Sequence, residues 1–133
     1  MSTDLDPQGD RRVDAFLRSW TDLASPGQSH LLAEQVLVGT EAGATVIGRD
    51  AFVDAARARL AQAGRRDAAR MTGWEALVVG EGLLLVTATW AIDAAGCVTL
   101  VSDFLLQKAS DSGLQCVAYL PRQDVTTLLP SEA

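Results

Sequence analysis

Three side chains of this sequence could converge as an acid/base site: the carboxylate of Asp103, the phenol of Tyr119 and the indole of Trp90. A carboxylate and a phenol that share a cavity can exchange protons with a substrate, because burial and neighbouring groups shift their pKa values. The alternative is that Asp103 and Tyr119 form a polar cross-strand pair at a subunit contact, where Trp and Tyr are enriched. His30, the only histidine, is a further candidate acid or base, since an unperturbed imidazole titrates near neutral pH. Its alternative is a solvent-facing side chain at a helix start.

Asp103 and Tyr119 belong to a β-rich stretch, Leu83 to Leu120, in which short turns containing glycine separate three runs. Such connections predict hairpins and an antiparallel meander. Simple turns would pair Ile92 with Cys97 and Lys108 with Leu114, and counting from them sorts the side chains onto two faces. One face collects Leu85, Thr87, Thr89, Leu100, Ser102, Phe104, Leu106, Leu114, Cys116, Ala118 and Leu120. The other collects Leu84, Val86, Ala88, Trp90, Thr99, Val101, Asp103, Leu105, Gln107, Gln115, Val117 and Tyr119. A one-residue slip or a bulge would exchange these sets for the affected strand.

Length and composition predict one globular domain. The 133 residues suffice for one hydrophobic core, and 48% of them are hydrophobic. The net charge of −6 argues against a nucleic-acid partner, whose phosphates need a basic surface. We expect a cytoplasmic protein without a membrane partner, because the chain has neither an apolar opening segment nor a run of about 20 apolar residues. The cysteines, Cys97 and Cys116, fall far apart in the predicted register, so no disulfide is expected. Two thiols on separate strands, with one histidine elsewhere, do not make a metal site, and no cofactor is expected.

Upstream of the meander, the hydrophobic spacing changes between helical and strand-like periods. The expected helices cover Asp10 to Leu23 and Asp50 to Ala63, and the expected strands cover Gln35 to Val38, Ala44 to Ile47 and Met71 to Val79. The expected domain organisation is a flexible N-terminus over 1–9, a single α+β domain over 10–125 and a C-terminal tail over 126–133. Helices that precede long hairpins predict an α+β fold in which the helices cover one side of a curved antiparallel sheet.

The segments Phe16–Trp20, Val46–Phe52 and Phe104–Leu114 carry a family resemblance. They are similar to the nuclear-transport-factor-2-like superfamily and, within it, to the SnoaL-like and ketosteroid-isomerase-like branch. The resemblance covers nearly everything from Val13 to Asp124 and concerns the scaffold, since none of these segments is a catalytic signature. It implies a cystatin-like, cone-shaped fold with a pocket between the helices and the concave sheet face. It also implies a dimer through the other sheet face.

The resemblance places the face of Ser102 and Phe104 inside the cone. The ligand-binding residues that it implies are Phe16, Trp20, Thr87, Thr89, Ser102, Phe104 and Cys116. Hydroxyls and a thiol can orient a ligand, but none has a free pKa suited to proton transfer near neutrality without an activating partner. The alternative is a filled core in which the hydroxyls satisfy one another. Ser102 stands where ketosteroid isomerases carry the carboxylic acid of their oxyanion hole, so isomerase chemistry of that kind is not expected.

The outer face is expected to form a homodimer through Trp90, Val101, Leu105 and Val117. Three functions then remain open. The first is a domain that binds a hydrophobic small molecule in a mostly apolar pocket, because the inward face is poor in titratable groups. The second is a cyclase, isomerase, hydrolase or dehydratase that uses Asp103 with Tyr119, or His30, as acid and base. The third is a non-enzymatic dimeric interaction domain whose cone is filled by its own side chains.

Overall fold

The computed structural model describes residues 7–21, 28–40, 43–63, 70–92, 98–109 and 113–121. Two α-helices, a 3₁₀ turn and six strands make up these ranges. The helices are α1 (Pro7–Trp20) and α2 (Arg49–Ala63), and the 3₁₀ turn is Ser29–Leu31. The strands are β1 (Leu32–Thr40), β2 (Gly43–Gly48), β3 (Arg70–Gly80), β4 (Leu83–Ile92), β5 (Val98–Lys108) and β6 (Leu114–Pro121).

The six strands form one sheet in the order β2-β1-β6-β5-β4-β3. Neighbouring strands are antiparallel, except that β1 and β6 run parallel. The last strand, β6, therefore lies between β1 and β5. Its pairing with β1 joins the first hairpin to the meander in one sheet. This is the α+β architecture that the sequence predicted, with one parallel junction.

Helix α1 begins at Pro7, three residues before the predicted start. Proline fits the first helical turn because its missing N–H would have no partner there and its φ angle suits a helix. Val13, Phe16 and Leu17 form the buried stripe of this helix. They pack against the sheet together with Phe52 and Val53 of α2 in one hydrophobic core. Neither helix of the described chain has the length and apolar character needed to cross a membrane.

The predicted register between β4 and β5 is wrong by one residue. Ile92 pairs with Val98, whereas Cys97 and the rest of the connection lie outside the described residues. Because side chains alternate across a strand, this shift exchanges the two faces of β4 relative to the prediction. Thr87 and Thr89 therefore lie on the outer face, opposite Asp103 and Val101.

Trp90, predicted on the outer face, lies on the inner face. It pairs with Leu100 and is buried in the core, so it is not available to the expected dimer contact. Val101, Leu105 and Val117 stay on the outer face. The sequence held a signal for this arrangement: Val86, Ala88 and Trp90 are more apolar than Leu85, Thr87 and Thr89, which favours the first set as the buried one.

A bulge in β6 corrects a second part of the predicted register. Leu106 pairs with Cys116, as predicted, but Leu105 pairs with Ala118, so Val117 is an extra residue. Beyond the bulge, Phe104 lies opposite Tyr119 and Asp103 opposite Leu120. The predicted pairing of Asp103 with Tyr119 is therefore wrong, because the extra residue turns Tyr119 to the inner face.

Candidate functional site

Aromatic rings from both helices and three strands meet between the helices and the inner sheet face. Phe104 lies at their centre, with ring centroids 4.9 Å from Trp20, 5.3 Å from Tyr119 and 5.9 Å from Phe16. These separations fall within the range in which aromatic pairs attract one another beyond simple area burial. We call the set of Phe16, Trp20, Phe52, Trp90, Phe104 and Tyr119 the aromatic cluster.

Each ring reaches the aromatic cluster because its element presents it to the inner face. Phe16 and Trp20 are four residues apart on α1, so they lie on the same side of the helix, and their centroids are 5.7 Å apart. Phe52 stands in the first turns of α2, 5.7 Å from Trp20 and 5.9 Å from Tyr119. The bulge at Val117 brings Tyr119 to the same side. The cluster therefore depends on both helices and on the local irregularity of β6.

The members of the aromatic cluster differ in exposure. Phe104 is fully buried, and Phe16, Phe52 and Trp90 are almost so. Trp20 and Tyr119 are only partly buried, and their centroids are 5.3 Å apart with the rings tilted by 46°. An indole and a phenol each combine an apolar ring with one hydrogen-bonding group. Trp20 and Tyr119 thus form an accessible, amphipathic edge of an otherwise buried cluster, which we call the aromatic edge.

Ser102 and Cys116, two of the predicted ligand-binding residues, lie on the inner face with Phe104. Ser102 is the buried polar side chain of the described core, opposite Ala88 on β4. The Cys116 thiol is fully buried and donates a hydrogen bond to the carbonyl oxygen of Ala118 at 3.2 Å. Burial raises the pKa of Cys116 from 9.0 to about 12. The thiol is therefore neutral at physiological pH and is not a nucleophile.

Thr87 and Asp103 form a hydrogen-bonded pair on the outer face. The Thr87 hydroxyl donates to a carboxylate oxygen of Asp103 at 2.6 Å, across adjacent strands. A short O–H···O⁻ bond of this kind fixes the carboxylate on that face. The structure therefore places the sheet between Asp103 and Tyr119 and does not bring the three predicted acid/base groups together.

His30 lies apart from the aromatic edge. It is exposed, in the 3₁₀ turn that precedes β1, and it lines a groove beside α1 rather than the inner sheet face. Its predicted acid/base role is neither supported nor contradicted by this position. Within the described ranges, no three His, Cys, Asp or Glu side chains lie together as a possible metal site.

Sequence reasoning identified Phe16, Trp20 and Phe104 as inward-facing, and the structure brings these three together. It did not name Phe52 among the ligand-binding residues, and it placed Trp90 and Tyr119 on the wrong face. Phe52 could have been found from its neighbour Val53, since two adjacent large apolar residues in the first turns of α2 indicate the buried side of that helix. The inward position of Tyr119 could not have been predicted in this way, because the local sequence of β6 contains no signal for the bulge.

No protein-family model and no curated protein sequence matches this chain. Solved structures do resemble it. An uncharacterized protein with a cystatin-like fold from Caulobacter vibrioides is 14% identical, with a TM-score of 0.68 over 86% of this chain and 88% of that one. An NTF-2 like protein of unknown function from Shewanella oneidensis is 13% identical, with a TM-score of 0.63 over 84% and 97%. Aln2 from a Streptomyces species is 16% identical, with a TM-score of 0.65 over 93% and 96%.

At these identities the likeness concerns the fold alone. The chain has the nuclear-transport-factor-2-like, cystatin-like fold: a curved sheet of six strands with two helices on its concave face. The fold that the sequence resemblance implied is thereby confirmed. Such a scaffold supports many functions, so the function must be argued from the side chains of this chain.

Proposed function

We propose that this chain is a binding domain for a hydrophobic small molecule, with its ligand site at the aromatic edge inside the cone. The observation that carries this is the partial exposure of Trp20 and Tyr119 next to the fully buried Phe104. Apolar pockets with a few polar groups are typical of small-molecule sites. The indole N–H and the phenol would supply the hydrogen bonds that orient the ligand, while the buried rings supply contact area. Tyr119 also interacts with another group of the chain, but a phenol oxygen can both donate and accept.

Binding is favoured over acid/base catalysis by the composition of the inner face. Among the buried residues of the described ranges, Ser102 is the only polar one, so no carboxylate and no imidazole of these ranges is buried in the core. Cys116 is held neutral, and Asp103 is hydrogen-bonded on the opposite face. A general base must reach the proton that it removes, at about 2.6–3.2 Å or through one water. The enzyme alternative would therefore need a group other than the predicted pair.

Calorimetric titration with 2-naphthol, a neutral aromatic probe with one hydroxyl, tests this proposal. We expect saturable binding to the wild type, weakened roughly tenfold or more in Trp20→Ala because an anchoring ring is lost. The matched control is Trp74→Phe, which changes another partly buried tryptophan packed against the core but one outside the aromatic cluster. Its affinity should stay close to that of the wild type.

The same titration separates binding from a filled cone. If the chain's own side chains fill the cone, the wild type will not bind 2-naphthol. Trp20→Ala will then create a cavity, and apolar cavities of this kind take up aromatic molecules. Binding that appears only in Trp20→Ala would therefore overturn the proposal in favour of the interaction-domain alternative.

We further propose that the outer sheet face forms a homodimer. Six apolar residues pair directly with one another across all six strands, and we call them the apolar row. In sheet order they are Val46, Leu37, Ala118, Leu105, Leu85 and Leu77. Both described helices lie on the other face, and Val46, Leu37 and Leu77 are 59%, 38% and 51% exposed.

The apolar row is exposed toward both edges of the sheet, while Ala118 within it is 5% exposed. Large exposed apolar patches are uncommon on a monomer and support an interaction site. A second copy of the same face would cover it by two-fold symmetry, because such an interface needs only one self-complementary patch. This retains Val101, Leu105 and Val117 from the expected contact and omits the buried Trp90. The apolar row extends the contact to both edges of the sheet.

A further inference from the structure

A groove with a volume of about 360 Å³ runs along α1, between this helix, the 3₁₀ turn and the start of β6. Its walls are Gln8, Arg11, Arg12, Ala15, Phe16, Ser19, His30, Leu31, Gly113 and Leu114. The α1 residues among them recur at three- and four-residue spacing, so they form one stripe of the helix. This stripe adjoins the one that carries Val13, Leu17 and Trp20 into the core and shares only Phe16 with the aromatic cluster. The groove is thus separate from the aromatic edge.

The rim of the groove is basic. The positively charged residues Arg11 and Arg12 line it beside His30, and no aspartate or glutamate of the described ranges does, although the whole chain carries a net charge of −6. The nearest acids on the same helix are Asp10 and Asp14, which do not line the groove; Asp14 forms an ion pair with Arg18 at 2.6 Å. A local concentration of positive charge in an acidic protein attracts an anion to that place.

The floor of the groove is apolar. Phe16 and Leu31 are each 4% exposed, and Leu114 is half-buried against the core. The groove's volume lies at the small end of the usual range for ligand pockets. A basic rim above an apolar floor of this size suits a molecule with one anionic head and a short apolar body.

We propose that this groove binds a small amphipathic carboxylate. Its head would contact Arg11, Arg12 and His30, and its apolar body would lie over Phe16, Leu31 and Leu114. Arg12 and His30 each interact with another group of the chain as well. A guanidinium has five N–H donors, so one such interaction leaves donors for a carboxylate. Binding in the groove depends on charge, whereas binding at the aromatic edge does not. The two proposals are therefore independent of one another.

NMR titration of the ¹⁵N-labelled protein with sodium octanoate, and in parallel with octan-1-ol, tests the groove. We expect octanoate to shift the amide signals of Arg12, His30 and Gly113 in a saturable manner. Octan-1-ol has the same chain length without the charge and should bind about tenfold more weakly or less. The affinity for octanoate should also fall as salt is added, because the rim is exposed and its charges are screened.

Two double variants provide the control for net charge. Arg11→Gln with Arg12→Gln should weaken octanoate binding about tenfold or more. Arg18→Gln with Arg57→Gln removes the same charge from two ion-paired arginines outside the groove. This variant should bind octanoate with a dissociation constant within about twofold of the wild-type value. Equal weakening in both double variants, an absence of shifts, or shifts confined to Trp20 and Tyr119 would each overturn the assignment. Circular dichroism would establish that both variants are folded.

Discussion

Cys116 and Asp103 are side chains with reactive chemistry whose surroundings give them structural roles. The thiol of Cys116 is buried and hydrogen-bonded to a backbone carbonyl, and the carboxylate of Asp103 accepts a hydrogen bond from Thr87. Burial disfavours the thiolate, which is the reactive form of cysteine. The chemical type of a residue therefore says less about its function here than the face of the sheet on which it lies.

Cys116 should make stability depend on alkaline pH. Its pKa is raised to about 12 in the folded chain from 9.0 in the unfolded chain. The folded state thus holds the thiol proton more tightly, and this contribution to stability is complete below pH 9 and is lost as the pH rises toward 12. At pH 10.5 the free energy of unfolding should have lost roughly 2 kcal/mol through this group.

Urea denaturation at pH 8, 9.5 and 10.5 measures this effect. The two proteins compared both carry Cys97→Ser, so that Cys116 is the only cysteine, and one of them also carries Cys116→Ala. The difference in unfolding free energy between the two proteins should shrink as the pH rises, since only the protein that keeps Cys116 has the titrating thiol. A difference that stays constant from pH 8 to 10.5 would mean that the thiol is not protected by burial.

At the scale of elements, one extra residue and one glycine shape the sheet. The bulge at Val117 turns Tyr119 toward Phe104, and without it the aromatic edge would lose a ring to the outer face. Gly82 makes the turn between β3 and β4, where its φ angle of +71° lies in the left-handed region. Its carbonyl oxygen accepts a hydrogen bond from the backbone N–H of Lys108 at 2.9 Å, so this turn also anchors the end of β5.

Gly82→Ala should lower the free energy of unfolding by about 1 kcal/mol or slightly more, because a Cβ disfavours the left-handed conformation. The cause is the backbone and not crowding, since the nearest atom to an added Cβ would be Lys108 Cβ at 3.8 Å. Gly73→Ala in β3 is the matched control: a Cβ there meets no atom within 4 Å and no positive φ angle is involved. It should change stability by less than about 0.5 kcal/mol. Equal losses in both variants, measured by urea denaturation, would contradict this account of the turn.

At the scale of the whole molecule, the sheet divides two kinds of surface. Its inner face holds the aromatic cluster under two helices, and its outer face carries the apolar row across all six strands. The groove beside α1 adds a third, charged surface. If the chain binds a ligand and dimerises as proposed, substitutions on opposite faces should alter the two properties independently.

The proposed dimer should dissociate when charge is placed on the apolar row. Leu37→Glu with Leu77→Glu replaces two side chains that are 38% and 51% exposed in the single chain, so the fold should tolerate the change. Sedimentation velocity at micromolar concentration should show a dimer for the wild type and a monomer for this variant. Like charges brought together across a two-fold interface repel one another and lose their hydration.

Val78→Glu provides the control for this experiment. Val78 is 47% exposed on the same strand as Leu77 but pairs with Leu84, which packs against the core on the inner face. This variant should remain dimeric. A monomeric wild type, or equal dissociation of both variants, would argue against the outer face as the interface.

The sequence by itself determined which segments are helices and strands, that the last three strands form hairpins, and that the fold is of the α+β class. These properties follow from local periodicity and turn residues, which act within a few positions along the chain. The family resemblance carried by the sequence also implied the cone shape, and it implied that Phe16, Trp20 and Phe104 face inward.

Only the tertiary structure decided the register of β4, the bulge at Val117 and the parallel pairing of β1 with β6. Side chains alternate with a period of two, so one residue in a turn or a bulge changes the face of every side chain beyond it. The one-residue shift between β4 and β5 moved Thr87 and Thr89 to the outer face and brought Trp90 inside. The bulge in β6 separated Asp103 from Tyr119. The chemistry of the site was therefore set by long-range pairing, which local sequence patterns do not determine.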